Sequence, residues 1–347
     1  MGSAIKVGLI GYFNSGAYSD DLIECVTKKL LYDINPDIEF DSTLLQRCAG
    51  GTDVNYLNGF DLIIHAGGSL LGKCTHFPVR DIAAWKDKVK TPLAIFGPGY
   101  RFEPDKEPLS PVRRCRLQTL FDRAEVISVR GYYTVKYLRA NGVDVSKIDS
   151  IGDPVMACAP RPRRLPKYIM GNVRNMSTAE IQHTSTQRVQ RLMAESYDWL
   201  IDHYEQPLKL ISFRHNVPDD NDITGARAVK KLMTHDDQVD IVAYPTFSNS
   251  VDCMMDASFW FGQRLHPSVF AAVQGIPFVG VEYQFDKMLD WASTVEIDNF
   301  IRTDTTTLED FIEAHIRVED NMERLKRTIP RVVQNIRKTA SKIMDLV

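Results

Sequence analysis

The chain has 347 residues, 44% apolar and 25% charged, a composition typical of soluble globular proteins at a length that favours two domains over one core. Its net charge of -3 gives no bulk case for nucleic-acid binding, yet leaves room for a local basic cleft facing a small anion. No apolar run approaches the ~20 residues of a membrane span and no signal-peptide pattern opens the chain, so a cytoplasmic protein, free or docked on a membrane surface, is expected.

The elements alternate. Residues 5–10 form a short apolar strand, broken by Gly11 and a polar loop, and residues 20–32 carry apolar groups at helical spacing. Strands are predicted at 38–40, at 60–65 ending in Ala66-Gly67-Gly68-Ser69, and at 92–96 ending in Gly97-Pro98-Gly99. Two more are predicted at 126–129 ending in Arg130, and at 148–151 ending in Gly152-Asp153-Pro154. Three prolines and three arginines crowd residues 160–166, which reads as an interdomain linker. Residues 170–191 are polar and read as loop or short helix. Alternation then resumes, with a helix over 188–204, a strand at 208–213, a helix over 226–234 and a strand at 239–243. A strand at 259–262, a helix at 269–274 and a strand at 278–281 follow, before mixed-charge helices from 308 to 346. The expected architecture is α/β: two Rossmann-like doubly wound domains facing a cleft, a GT-B-like frame, with a helical C-terminal tail. The boundaries are drawn at 1–160 for the N-terminal domain (acceptor side), 167–330 for the C-terminal domain (anion and donor side), and 331–347 for a terminal helix.

The strand ends hold the chemistry, because open parallel sheets bind ligands at the carboxyl edge, where helix N-termini also point. Arg264-Leu265-His266 follows one apolar run, putting a rigid guanidinium fork beside an imidazole that can move a proton near neutral pH. Arg130 ends another run, and Arg214-His215 is a second Arg/His pair at a strand end. Asp20 and Asp21 open a helix, where they serve as caps or as a carboxylate that orients or deprotonates a hydroxyl. Gly67 and Gly68 permit either close backbone approach to a ligand or a tight turn. Asp153-Pro154 reads as a turn. Tyr283 and Lys287 read either as anion ligands or as packing and solvated groups. No dinucleotide fingerprint or P-loop is present. The six cysteines lack CxxC spacing, and Cys74 with His76 makes only half a zinc site, so free thiols and no metal are expected.

These motifs, in this order, make the chain resemble the polysaccharide pyruvyl transferase family. The match runs through Asp20-Asp21, then Asp61-Leu-Ile-Ile-His-Ala-Gly-Gly-Ser-Leu-Leu-Gly72, Phe96-Gly-Pro-Gly99, Ile127-Ser-Val-Arg130 and Gly152-Asp153-Pro154. It closes on Gly262-Gln-Arg-Leu-His266, Gly275-Ile-Pro277, Tyr283 and Lys287. The resemblance implies a GT-B-like fold and transfer of pyruvate from phosphoenolpyruvate to a sugar as a cyclic ketal. It implies cell-envelope polysaccharide biosynthesis, a glycan acceptor that is lipid-linked, nucleotide-linked or polymeric, and no cofactor beyond the donor substrate. It also implies that Arg130, Arg264, Leu265 and His266 surround phosphoenolpyruvate. One departure stands out: the family commonly has an acidic residue after the arginine matching Arg130, where this chain has Gly131.

Ketal formation from an enol phosphate needs a proton delivered to the methylene carbon, and two sugar hydroxyls that add in turn as phosphate leaves. On this reading His266 is the general acid with His215 as understudy, Arg130 and Arg264 hold the carboxylate and phosphate, and Asp20 addresses the acceptor hydroxyl. The same frame also suits a glycosyltransferase using a nucleotide sugar, or a non-catalytic carbohydrate-binding protein.

Overall fold

The computed structural model describes every residue except 1–3, 14–17, 52, 70, 72–78, 83–85, 101–107, 176–184, 215–220, 245, 283–285 and 304–306. Its described strands form two six-stranded, wholly parallel sheets. The first, ordered β2-β1-β3-β4-β5-β6, is built from Ile38–Asp41, Ile5–Ile10, Leu62–Ala66, Leu93–Phe96, Val126–Val129 and Asp149–Ser150. The second, ordered β12-β11-β10-β7-β8-β9, is built from Phe300–Arg302, Phe278–Glu282, Ala257–Gly262, Tyr168–Asn172, Leu208–Ser212 and Val239–Ala243.

Parallel strands buried on both faces need continuous apolar runs, and β3 and β4 are buried at every position. In each sheet the winding reverses at one strand: β1 lies between β2 and β3, and β7 lies between β8 and β10. Those reversals open crevices at the carboxyl ends of the strands. The Pro/Arg-rich 160–166 segment joins the two sheets. Its Arg163 donates to the carbonyls of Gly275 and Ala257 at 2.7 and 2.6 Å, and Arg161 pairs with Asp252.

Two expectations need correction. Residues 168–172 form the strand at which the second sheet reverses, although 170–191 reads as loop or short helix. The run Tyr-Ile-Met-Gly-Asn is short and ends in a polar residue, so its strand character comes from pairing with β8 and β10 on either side. The terminal helix starts at Val318 rather than 331, running unbroken to Met344 with Pro330 inside it. Pro330 is exposed and, lacking an N–H, cannot donate to the carbonyl four residues earlier. This helix leaves the second unit and packs against Tyr18–Ile34, the 3-10 turn Pro154–Ala157 and strands β4 and β5 of the first.

Candidate functional site

The two units meet where the helix Leu265–Val273, following β10, lies against the first-unit helix Tyr18–Ile34 and the turn Pro154–Ala157. This contact carries His266, in the helix's first turn, into a cluster built by the other unit. His266 Nδ1 is 3.8 Å from Asp20, and Nε2 is 3.7 Å from Asp153. Asp153 caps the 3-10 turn, accepting the Val155 N–H at 3.0 Å, and its second oxygen is 2.9 Å from Arg130 Nε. The backbone reading of Asp153-Pro154 as a turn holds, and the same carboxylate also lies between Arg130 and His266.

Burial here exceeds hydrogen bonding. Arg130 is 1% exposed, Asp153 0% and His266 7%. Arg130 Nη2 donates to the Gly68 carbonyl at 3.1 Å, which also accepts the Gly99 N–H at 2.7 Å. Yet among the described residues Arg130 Nη1, Asp153 Oδ2 and His266 Nε2 have no hydrogen-bond partner, and the Arg130–Asp153 contact is a close charge pair without hydrogen-bond alignment. Such orphaned atoms in a folded protein call for an explanation, and a polar ligand is one. Gly67 and Gly68 lie at φ 59° and 71°, the left-handed region, so the turn that presents the Gly68 carbonyl requires glycine.

Burial lowers the pKa of His266 below the usual imidazole value. Asp153 and Asp20 pull the other way, while Arg130 and Lys287 add to the lowering. The ring is therefore neutral at neutral pH. An anion bound against Arg130 would shift that balance toward the protonated form.

Arg264 is placed differently. It stands two residues before His266, at the N-cap of the same helix, but its guanidinium turns to Asp222, at the start of the helix Asp222–Lys230. Nη2 and Nε reach the carboxylate at 2.6 and 2.9 Å in a buried pair, and Asp222 also accepts the Phe213 N–H at 2.9 Å. Leu265 packs into the core that the two units share. Arg214 lies two residues past the end of β8, and its carbonyl accepts the Asp222 N–H. Lys287 opens the helix Lys287–Val295, within electrostatic range of His266. His215 and Tyr283 lie outside the described residues, as do Cys74 and His76. The described cysteines are all free thiols, and no group of three or more His, Cys, Asp or Glu among the described residues is placed to hold a metal.

Sequence reasoning missed Asp222 and Asp290. Asp222 is one of three acids in 219–222, and no spacing rule pairs it with an arginine 42 residues on. Asp290 is buried in the Lys287–Val295 helix, and its carboxylate accepts the Thr134 N–H and hydroxyl, both at 2.8 Å. A side chain at Gly131 would begin 2.4 Å from Asp290 Oδ1. The volume an acidic residue there would occupy thus holds a carboxylate from the other unit. Burial pushes the Asp290 pKa up to about 6, against the pull of Arg130 and the Thr134 hydrogen bonds.

A family model described as polysaccharide pyruvyl transferase matches residues 20–284. No curated protein sequence matches the chain. Among solved structures, the S. aureus MnaA-UDP co-structure superposes at TM-score 0.59 with 12% identity, covering 93% of this chain and 91% of its own. UDP-GlcNAc 2-epimerase from Neisseria meningitidis, bound to UDP-GlcNAc, gives 0.53 with 10% identity over 92% and 93%. The enzyme of that name from Methanocaldococcus jannaschii gives 0.53 with 10% identity over 90% and 92%. At such identities the likeness establishes the two-unit GT-B-like fold and nothing about substrate.

Proposed function

Because the chain belongs to the polysaccharide pyruvyl transferase family, we propose that it moves pyruvate from phosphoenolpyruvate onto two hydroxyls of a glycan sugar, giving a cyclic ketal. The carrying observation is the interunit cluster, in which a buried guanidinium edge, a carboxylate oxygen and an imidazole nitrogen converge without hydrogen-bond partners.

Arg130 suits the carboxylate or phosphate of the donor, since its fork is fixed by Asp153 and Gly68 while Nη1 stays available. Lys287 adds positive charge nearby. A bound donor anion raises the proton affinity of His266, so the general acid becomes charged when its substrate arrives. Protonation of the methylene carbon turns it into a methyl group and leaves an oxocarbenium-like centre at the neighbouring carbon. The first sugar hydroxyl adds there, and its proton passes to a base, a role that suits Asp20, whose carboxylate lies 3.8 Å from His266 Nδ1. Loss of phosphate regenerates the cationic centre, the second hydroxyl closes the ring, and phosphate takes the remaining proton. Arg264, committed to Asp222, holds the start of the helix that carries His266.

The acceptor is a sugar of a glycan or glycan precursor. No helix among the described residues is long and apolar enough to cross a membrane, which suits an acceptor met at a membrane surface or in solution. The test is thermal stabilisation by phosphoenolpyruvate but not by nucleotide sugars, with acceptor-dependent phosphate release lost in Arg130→Ala and His266→Gln. Stabilisation by a nucleotide sugar alone would favour glycosyl transfer on the same frame.

A further inference from the structure

The helix Tyr132–Ala140 follows Arg130 directly, and its N-cap residue, Gly131, has no side chain with which to cap it. Asp290 of the second unit does so instead. Its Oδ1 accepts the Thr134 N–H and its Oδ2 accepts the Thr134 hydroxyl, across 156 positions of sequence. The Thr134 hydroxyl oxygen in turn accepts the Tyr100 N–H at 3.0 Å. The neighbouring Gly99 N–H binds the Gly68 carbonyl, the atom that holds Arg130 Nη2, and the Arg130 N–H binds the Pro98 carbonyl at 3.1 Å. The position a Gly99 Cβ would take lies 2.9 Å from Arg130 Nη1 and 3.5 Å from Asp290 Oδ2, so the two charges flank one point.

We infer that Asp290 is a positioning residue: through Thr134 and the Pro98–Tyr100 turn, docking of the second unit sets the orientation of the Arg130 guanidinium. One carboxylate caps this helix end and, through Thr134, braces the turn beside the Asp153 and Gly68 contacts that fix the guanidinium, and it does so only while the units are joined. Gly131 is the matching slot, since any Cβ there would come 2.0 Å from the Asp290 carbonyl oxygen. The charged groups facing Asp290 are Arg130 and Asp153 of the first unit, while Lys287 lies one turn earlier on its own helix. Protonation of Asp290, centred near pH 6, removes one acceptor from Thr134 and weakens the chain of contacts. The consequence for donor binding rests on the pyruvyl transfer reading; the consequence for Arg130 does not.

The test uses the full chain labelled with 15N-arginine, following the Arg130 Nε–H resonance (assigned with Arg130→Lys) and phosphoenolpyruvate affinity by calorimetry. Asp290→Asn should move that resonance, speed its hydrogen exchange at least about tenfold at pH 7.5, and weaken phosphoenolpyruvate binding about tenfold. In the wild type the exchange should also rise as pH falls through about 6, whereas the Asn variant, which mimics the protonated state throughout, should lack that step. Melting temperature separates positioning from folding, because the amide is uncharged and should melt no lower than wild type at pH 7.5. Should Asp290→Asn fail to fold, Thr134→Val, which cuts the hydroxyl's bonds to Asp290 and Tyr100 but keeps the backbone N–H on Asp290, should move the resonance in the same direction. An unchanged Arg130 resonance and exchange rate in the folded variant overturns the proposal. A moved resonance with no phosphoenolpyruvate binding even in wild type supports the positioning role and rejects the donor assignment instead.

Discussion

Arg130 and Arg264 are both buried and both lie just past the carboxyl ends of strands, yet their surroundings differ. Arg264 meets a carboxylate that engages two of its nitrogens, and that carboxylate is itself bonded to a backbone N–H. Arg130 meets Asp153 without hydrogen-bond alignment and keeps Nη1 unpartnered. A satisfied buried ion pair is architecture, whereas a buried charge left short of partners leaves binding capacity for something else. By sequence the two positions look alike, and Arg264, beside a histidine, looks the better ligand.

The largest expected effect is at His266, on the unsatisfied side of this contrast. His266→Gln should lower kcat for phosphate release by roughly 10²–10⁴-fold while KM for phosphoenolpyruvate moves little. Steady-state kinetics decide it, and undiminished turnover would remove His266 as the acid. On the satisfied side, Asp222→Ala should cost roughly 3–5 kcal/mol of stability in urea unfolding, because it leaves Arg264 buried without its carboxylate. The double variant Asp222→Ala/Arg264→Leu should be more stable than Asp222→Ala alone. If both proteins unfold at the wild-type midpoint, the pair is not the anchor described here. Arg130→Ala should show the opposite profile: roughly 10²–10³-fold lower kcat/KM with a smaller change in unfolding midpoint.

His65 sharpens the comparison, since it is fully buried in β3 with neither ring nitrogen hydrogen-bonded. Desolvation alone holds its pKa down to about 4, with no charged neighbour contributing. The sign follows from linkage. Unfolded histidine takes up a proton near 6.5 and the folded one only near 4, so stability is highest above pH 6.5 and falls as pH drops toward 4. That loss amounts to about 3 kcal/mol. His65→Leu should flatten this acid limb and leave phosphate release intact. A variant that lost activity while keeping its stability would show that unsatisfied burial marks function at His65 as well.

Much of the frame is legible in the chain order of apolar runs. Strands such as 62–66 and 93–96 are buried on both faces, so their apolar content is continuous and survives reading one residue at a time. Strand 168–172 was not legible, because its identity rests on partners on both sides rather than on its own five residues. In the site, Arg130, His266 and Asp20 were readable from strand and helix ends. Asp153, which lies between Arg130 and His266, was readable only as a turn, and Asp222 and Asp290 were silent. An acid that caps its own helix has the same local sequence as one that pairs with a distant arginine or caps a helix of the other unit.

The sequence by itself determined the element types, the parallel α/β class and the presence of basic and imidazole groups at strand ends, because these depend on short-range periodicity and on where strands stop. Tertiary structure alone decided which arginine is neutralised, which carboxylate joins Arg130 to His266, and that Asp290 caps a helix of the other unit. Those outcomes depend on distances between residues far apart in sequence, and desolvation and charge pairing take their values only once the two units have packed together.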